Sequence, residues 1–186
     1  MLIDSDRLRQ NFSEGGAQEI YQSVKAQGDF LDFTRRYAFS DDHRVARSAL
    51  WGLTKASTDE LQPLKVLMND LIDQALQTPS SSVRRLTLSI VYRLPMEQDE
   101  LRTDFLDFCL QHMLDVEEEP GIQTLCMKLA HRMCAFYPEL TGEFRRTLEA
   151  MRVDFYKTSV KGLRNKLLYG KSGFTASHRR KKAENL

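Results

Sequence analysis

Apolar residues in this chain return at i, i+3, i+4 and i+7 through most of its length, the spacing of one face of an α-helix. Leu64, Leu67, Met68 and Leu71 make one such stretch, and Leu101, Phe105, Leu106, Cys109 and Met113 another. Short polar or Gly/Pro-marked breaks separate the stretches. Above this local rhythm lies a longer one. Val45, Val83, Ile122 and Val160, each opening an apolar run after a break, stand 38, 39 and 38 positions apart. Phe33, Leu71, Cys109 and Leu148 follow at 38, 38 and 39, and Leu67, Phe105 and Phe144 at 38 and 39. Self-similarity at this spacing means that one supersecondary unit recurs, each copy burying its apolar face against its neighbours.

The pattern predicts four helix pairs: 29–39 with 42–57, 59–77 with 80–94, 97–117 with 119–137, and 139–152 with 157–169. An additional helix near 17–27 caps the start. Asp41-Asp42, Thr78-Pro79-Ser80, Pro120-Gly121 and Tyr137-Pro138 punctuate these boundaries with N-cap side chains or with prolines that resist helix continuation. Strand alternation and Asn-Gly or Asp-Gly hairpin signals are missing, so no sheet is expected. The expected fold is all-α, an α-solenoid over residues 1–170. After Gly170 the chain reads KSGFTASHRRKKAENL, too polar to bury a core, and 171–186 is expected to be a disordered basic tail.

Helix phase divides each second helix into two sides, because successive residues rotate by about 100°. Counted from each aliphatic anchor, offsets 0, 4, 7 and 8 fall on the buried side and offsets 2, 6, 9, 10 and 13 on the opposite stripe. That stripe carries Arg47 and Arg85 at offset 2, Trp51, Lys128 and Lys166 at offset 6, Tyr92, His131 and Tyr169 at offset 9, and Lys55, Arg93 and Arg132 at offset 10. Arg164 breaks the buried pattern at offset 4, where Ala49, Thr87 and Cys126 stand in the other repeats. It suggests a last repeat that caps the stack.

At 186 residues, 41% hydrophobic and 28% charged, the chain is of ordinary globular composition, and its net charge of +1 gives no overall attraction to polyanions. Any polarity must come from arrangement. The second helices are net basic and the first helices net acidic. The N-terminal MLIDSDRLRQ has no apolar core of signal-peptide length, and no run approaches the ~20 apolar residues of a membrane helix. Cys109, Cys126 and Cys134 are odd in number and lack C-x-x-C spacing. These features lead to an expectation of a soluble, cytoplasmic protein.

The segments DHRVARSAL from Asp42, SSSVRRLTL from Ser80 and SVKGLRNKLL from Ser159 resemble the start of the second helix of HEAT repeats: a polar cap, an aliphatic residue, then Arg or Lys. The resemblance spans residues ~29–169 and extends to a short bacterial HEAT-like family in which some members carry an adenylosuccinate lyase label. It implies a right-handed solenoid of four HEAT-like pairs whose second helices line a concave face, here basic. The Ser-rich S-S-x-M-P-x-K-x-N loop of the lyase is absent, and Ser80-Ser81-Ser82 lacks its continuation. An alkylated-DNA glycosylase on related repeats uses Trp, Asp and Arg, loosely echoed by Asp42, Arg44, Arg47 and Trp51.

Cations interleaved with aromatics suit an acidic partner, since Lys and Arg pair with carboxylates or phosphates and aromatic faces cover apolar or base surfaces. The expected binding residues are Arg47, Trp51, Lys55, Arg85, Tyr92, Arg93, Lys128, His131, Arg132 and Lys166. No catalytic set, metal or cofactor is expected. His43, His112, His131 and His178 lack metal-ligand spacing, and Glu117–Glu119 reads as a solvated turn. The primary reading is a scaffold that binds an acidic protein segment. A nucleic-acid-binding module is the alternative, and a diverged glycosylase stands third.

Overall fold

The computed structural model describes residues 3–170, and every regular element among them is helical. The chain divides into two compact units, with the boundary between Phe105 and Leu106. The expected tail, 171–186, lies outside the described residues.

In the first unit, helix α1 (Ser5–Arg9) and helix α2 (Glu14–Gln27) precede the first predicted pair. The sequence pattern gave only 17–27 here, and α2 begins three residues earlier because Ser13 caps it by accepting the Gly16 N–H at 3.0 Å. Gly28 ends α2 in the left-handed region at φ 73°, a conformation that disfavours residues with a Cβ. The first pair is α3 (Phe30–Phe33), continued by a π-helical turn over Thr34–Ala38, with α4 (His43–Leu53). The second is α5 (Thr58–Leu61), a 3-10 stretch Gln62–Leu67 and α6 (Met68–Gln77), with α7 (Ser81–Arg93). Pro63 accounts for the break in the predicted continuous 59–77 helix, since it has no N–H to give.

Helix α4 is the hub of this unit. It packs on α1, α2, the π turn and α7. Gly52 is what admits α2, because a Cβ there would lie 2.5 Å from Ile20 Cγ2. Ser57 and Glu60 form a capping box at the start of α5, and Glu60 is anchored further by Lys25 at 3.0 Å and the Tyr21 hydroxyl at 3.1 Å. These bonds, led by the Ser57 backbone N–H, hold the Glu60 carboxyl down at about 2.

The unit boundary falls inside α8 (Thr103–Leu114), after which come α9 (Pro120–Cys134), α10 (Pro138–Ala150) and α11 (Thr158–Tyr169). The predicted 97–117 helix is shorter than expected at its start, where Gln98–Glu100 forms only a 3-10 turn. In the second unit α9 packs on both α10 and α11. Second helices thus stack on each other in each unit, α4 on α7 and α9 on α11, as a repeat requires.

The periodic columns are core. Val45, Val83, Ile122 and Val160 are at most 2% exposed, and Phe33, Leu71, Cys109 and Leu148 are all buried. The buried hydroxyls of Thr34 and Thr87 find partners along the same seams. The Thr34 hydroxyl donates to the Phe30 carbonyl at 2.7 Å, and the Thr87 hydroxyl to Gln74 Oε1 at 3.1 Å, while Gln74 Nε2 donates to the Ala38 carbonyl at 2.5 Å. Each bond offsets the cost of desolvating a hydroxyl or amide.

Candidate functional site

Helix phase settles which side chains of the second helices are available. In α4, α7 and α9 every residue at offsets 0, 4, 7 and 8 is buried, and none at offsets 2, 6, 9 and 10 is. Those last offsets form the stripe expected to bind. In α11, Val160 and Leu168 are buried while Arg164 and Leu167 are partly exposed. Arg164 binds the neighbouring helix: its Nε donates to the Leu148 carbonyl at 2.6 Å and its Nη2 to the Glu149 carbonyl at 3.2 Å, at the C-terminal end of α10. A cation suits that end of a helix, where carbonyls lack intrahelical partners.

In the first unit most stripe cations already have partners. Arg93 donates to the Thr54 carbonyl at 3.1 Å and to the Ala56 carbonyl, tying α7 to the exit of α4. Lys55 pairs with Glu14 of α2. Arg47 donates through Nη2 to the Asn11 carbonyl at 2.7 Å and lies 5.3 Å from the centre of the Phe12 ring. Of the cations at offset 10, Lys55 and Arg93 are thus ties between elements. Arg85 differs. It is exposed, with no side-chain hydrogen bond or ion pair among the described residues. Tyr92 is exposed beside it in the stripe, and Trp51 is half-buried on α4.

In the second unit, Lys166 is exposed and without a side-chain partner among the described residues. His131 is exposed, its ring centre 5.7 Å from that of Phe144 of α10 and tilted from it by 53°. Lys128 and Arg132 are half-buried and make contacts of their own.

The candidate chemistry is dispersed. Asp42 caps α4 by accepting the Arg44 N–H and accepts Arg9 Nε at 2.7 Å, which together hold its carboxyl below the ordinary range, the Arg9 bond being the larger cause. Trp51 follows nine residues later on the same helix, about 13 Å along the axis, so the two do not share a site. Burial pushes the Cys109 thiol well up, with its contact to Cys126 adding to the effect, and all three cysteines are buried and reduced. His112 Nδ1 lies 2.6 Å from Glu118, which leaves Glu117 and Glu119 as the solvated part of the acidic turn. Among the described residues no cluster of His, Cys, Asp and Glu is placed to hold a metal ion, and no helix is long and apolar enough to cross a membrane.

A family model of the HEAT repeat domain matches residues 5–171, and with it the stacked second helices of each unit acquire their meaning. The chain belongs to the HEAT repeat family. The match takes in α1 and α2, so both belong to the HEAT domain with the four periodic pairs. No curated protein and no solved structure matches the chain. HEAT repeats serve generally as protein-interaction scaffolds and are typically non-catalytic. The HEAT family therefore supplies the class of activity, while the face and the partner remain to be argued from the residues.

Two features escaped the sequence reading. The carbonyl partners of Arg93 and Arg47 lie 37 to 39 and 36 residues away, and a backbone carbonyl has no sequence signature. The exposed apolar residues Leu114, the last of α8, and Val116 and Phe155, which lie in the segments between helices, stand outside every periodic column. Their signal was available, as Val116 stands between Asp115 and Glu117 and Phe155 follows Asp154, apolar residues in polar turns.

Proposed function

We propose that this HEAT repeat protein is a non-catalytic scaffold whose second-helix stripe holds an acidic segment of a partner protein. In the first unit Arg85 supplies the charge, and Trp51 and Tyr92 supply flat apolar surface beside it; in the second unit Lys166 and His131 form a stripe of their own. The observation that carries the reading is Arg85: an exposed guanidinium on a helix packed against α4, free to take a carboxylate in bidentate fashion. Arg47, Lys55 and Arg93 are engaged with Asn11, Glu14 and the end of α4 and take no part in holding the partner.

The test is a fluorescence-anisotropy titration of the full chain with a labelled Glu/Asp-rich peptide at low and high salt. Saturable binding that weakens with salt, and weakens roughly tenfold or more on Arg85→Glu, is expected. Tighter binding of an oligonucleotide of equal charge, lost on the same substitution, would replace the reading with a nucleic-acid module. Binding indifferent to Arg85→Glu would remove this face from the account.

A further inference from the structure

The second unit carries an apolar groove of about 590 Å³ where the ends of α8 and α10 meet the linker to α11. Its floor is Met151 and Tyr156, both nearly buried, and its walls include Leu114, Val116 and Phe155, which are 39%, 46% and 64% exposed. The Tyr156 hydroxyl donates to the Leu114 carbonyl at 2.8 Å, which fixes the linker to α8 and removes the polar tip of that ring from the groove. Thr147 and Arg152 are the only other polar residues in the lining. Three large apolar side chains held open to water beside one cleft form the kind of contiguous patch that soluble domains reserve for a partner.

The turn that follows α8 is acidic, while the linker to α11 carries Arg152 and Lys157 as well as Asp154. Asp115 and Glu117 flank Val116, and Asp154 precedes Phe155. All three are exposed and have no ion-pair partner among the described residues. Asp115 also reaches the groove electrostatically. Burial first, and then this carboxylate, push the Tyr156 hydroxyl above the ordinary phenol range. Some acidic side chains elsewhere are paired, Asp73 and Asp104 with Arg102, Glu100 with Lys65, and Glu149 with Arg145; what distinguishes Asp115, Glu117 and Asp154 is their place beside exposed apolar side chains that line one groove.

We propose that this groove is a docking site for a basic, amphipathic segment of another polypeptide. An apolar side chain of that segment enters between Leu114, Val116 and Phe155, and lysines or arginines flanking it meet Asp115, Glu117 and Asp154. An acidic segment or an anionic lipid surface would be repelled by the same carboxylates. The proposal is independent of the acid-binding stripe and uses none of its residues.

The experiment titrates the full chain with a labelled 12-residue peptide carrying two leucines and a phenylalanine on one helical face and four lysines around them. A control peptide has glutamate in place of each lysine. Saturable binding of the basic peptide and none of the acidic one is expected. Affinity for the basic peptide should fall roughly tenfold on Phe155→Glu, at a site exposed enough to leave the fold intact, and severalfold on Asp115→Asn with Glu117→Gln. Arg85→Glu should leave it unchanged, which separates this site from the stripe. Equal binding of both peptides, no binding, or indifference to Phe155→Glu would overturn the proposal. A gain of affinity when Arg179, Arg180, Lys181 and Lys182 are together changed to Ser would also overturn it, by assigning the groove to the chain's own C-terminal segment.

Discussion

The stripe of α4 and α7 and the groove beside Phe155 carry charge of opposite sign and spend it differently. On the stripe, three of four cations in the first unit are bound to the protein itself, Arg93 to two carbonyls, Arg47 to one and Lys55 to Glu14. Around the groove, Asp115, Glu117 and Asp154 stand exposed without an ion-pair partner among the described residues. The lesson is that formal charge along a repeat column measures opportunity and not availability. A guanidinium near a helix end is drawn to unpaired carbonyls first, and what remains for a partner is the side chain with no such end in reach, as with Arg85.

The largest effect that separates bound from available cations is expected at Arg93. Arg93→Ala leaves the Thr54 and Ala56 carbonyls without their donor and should lower stability by about 2–3 kcal/mol, read as a shift of the urea midpoint. An unchanged midpoint would mean that the tie between α7 and α4 contributes little. Arg164→Ala removes the equivalent tie at the end of α10 and should cost about 1–2 kcal/mol, less because its bond to the Glu149 carbonyl is exposed whereas both bonds of Arg93 are part-buried.

Glu60 sharpens the same comparison through pH. Its folded value of about 2 lies below the ordinary 4.5, so the unfolded chain binds more protons between those values. The stabilisation is complete above pH ~4.5 and is lost as pH falls towards 2. Acid titration of Glu60→Gln should therefore show a flatter loss across that window than the native chain. A parallel curve would show that the capping box and Lys25 do not favour the charged form. The smallest stability effects belong to the available groups. Arg85→Glu and Phe155→Glu should each move the midpoint by less than about 0.5 kcal/mol while abolishing or weakening binding at their own sites.

Much of the architecture could be read from residue types and spacing. The 38 to 39 residue period aligned Val45, Val83, Ile122 and Val160, and rotation by 100° per residue then placed Ala49, Thr87 and Cys126 in the core and Arg85 and His131 outside it. That reading succeeds because burial follows helix phase, a local property. The departures have local causes too, Pro63 forcing the 3-10 stretch and Ser13 fixing the start of α2. The binding face was harder. Arg93 and Arg85 look alike in sequence and differ only in whether another repeat's carbonyl comes within reach, which depends on how closely α7 approaches the end of α4. The groove was hidden for the opposite reason, because it is built from the ends of α8 and α10 and from the segments that follow them, which the periodic columns pass over.

One titration decides whether available and bound cations have been told apart: the labelled acidic peptide against Arg85→Ala and Arg93→Ala, both at a temperature where each is fully folded. The account predicts an affinity roughly tenfold weaker for Arg85→Ala and within about twofold of the native chain for Arg93→Ala. Loss at Arg93 with binding intact at Arg85 would contradict it.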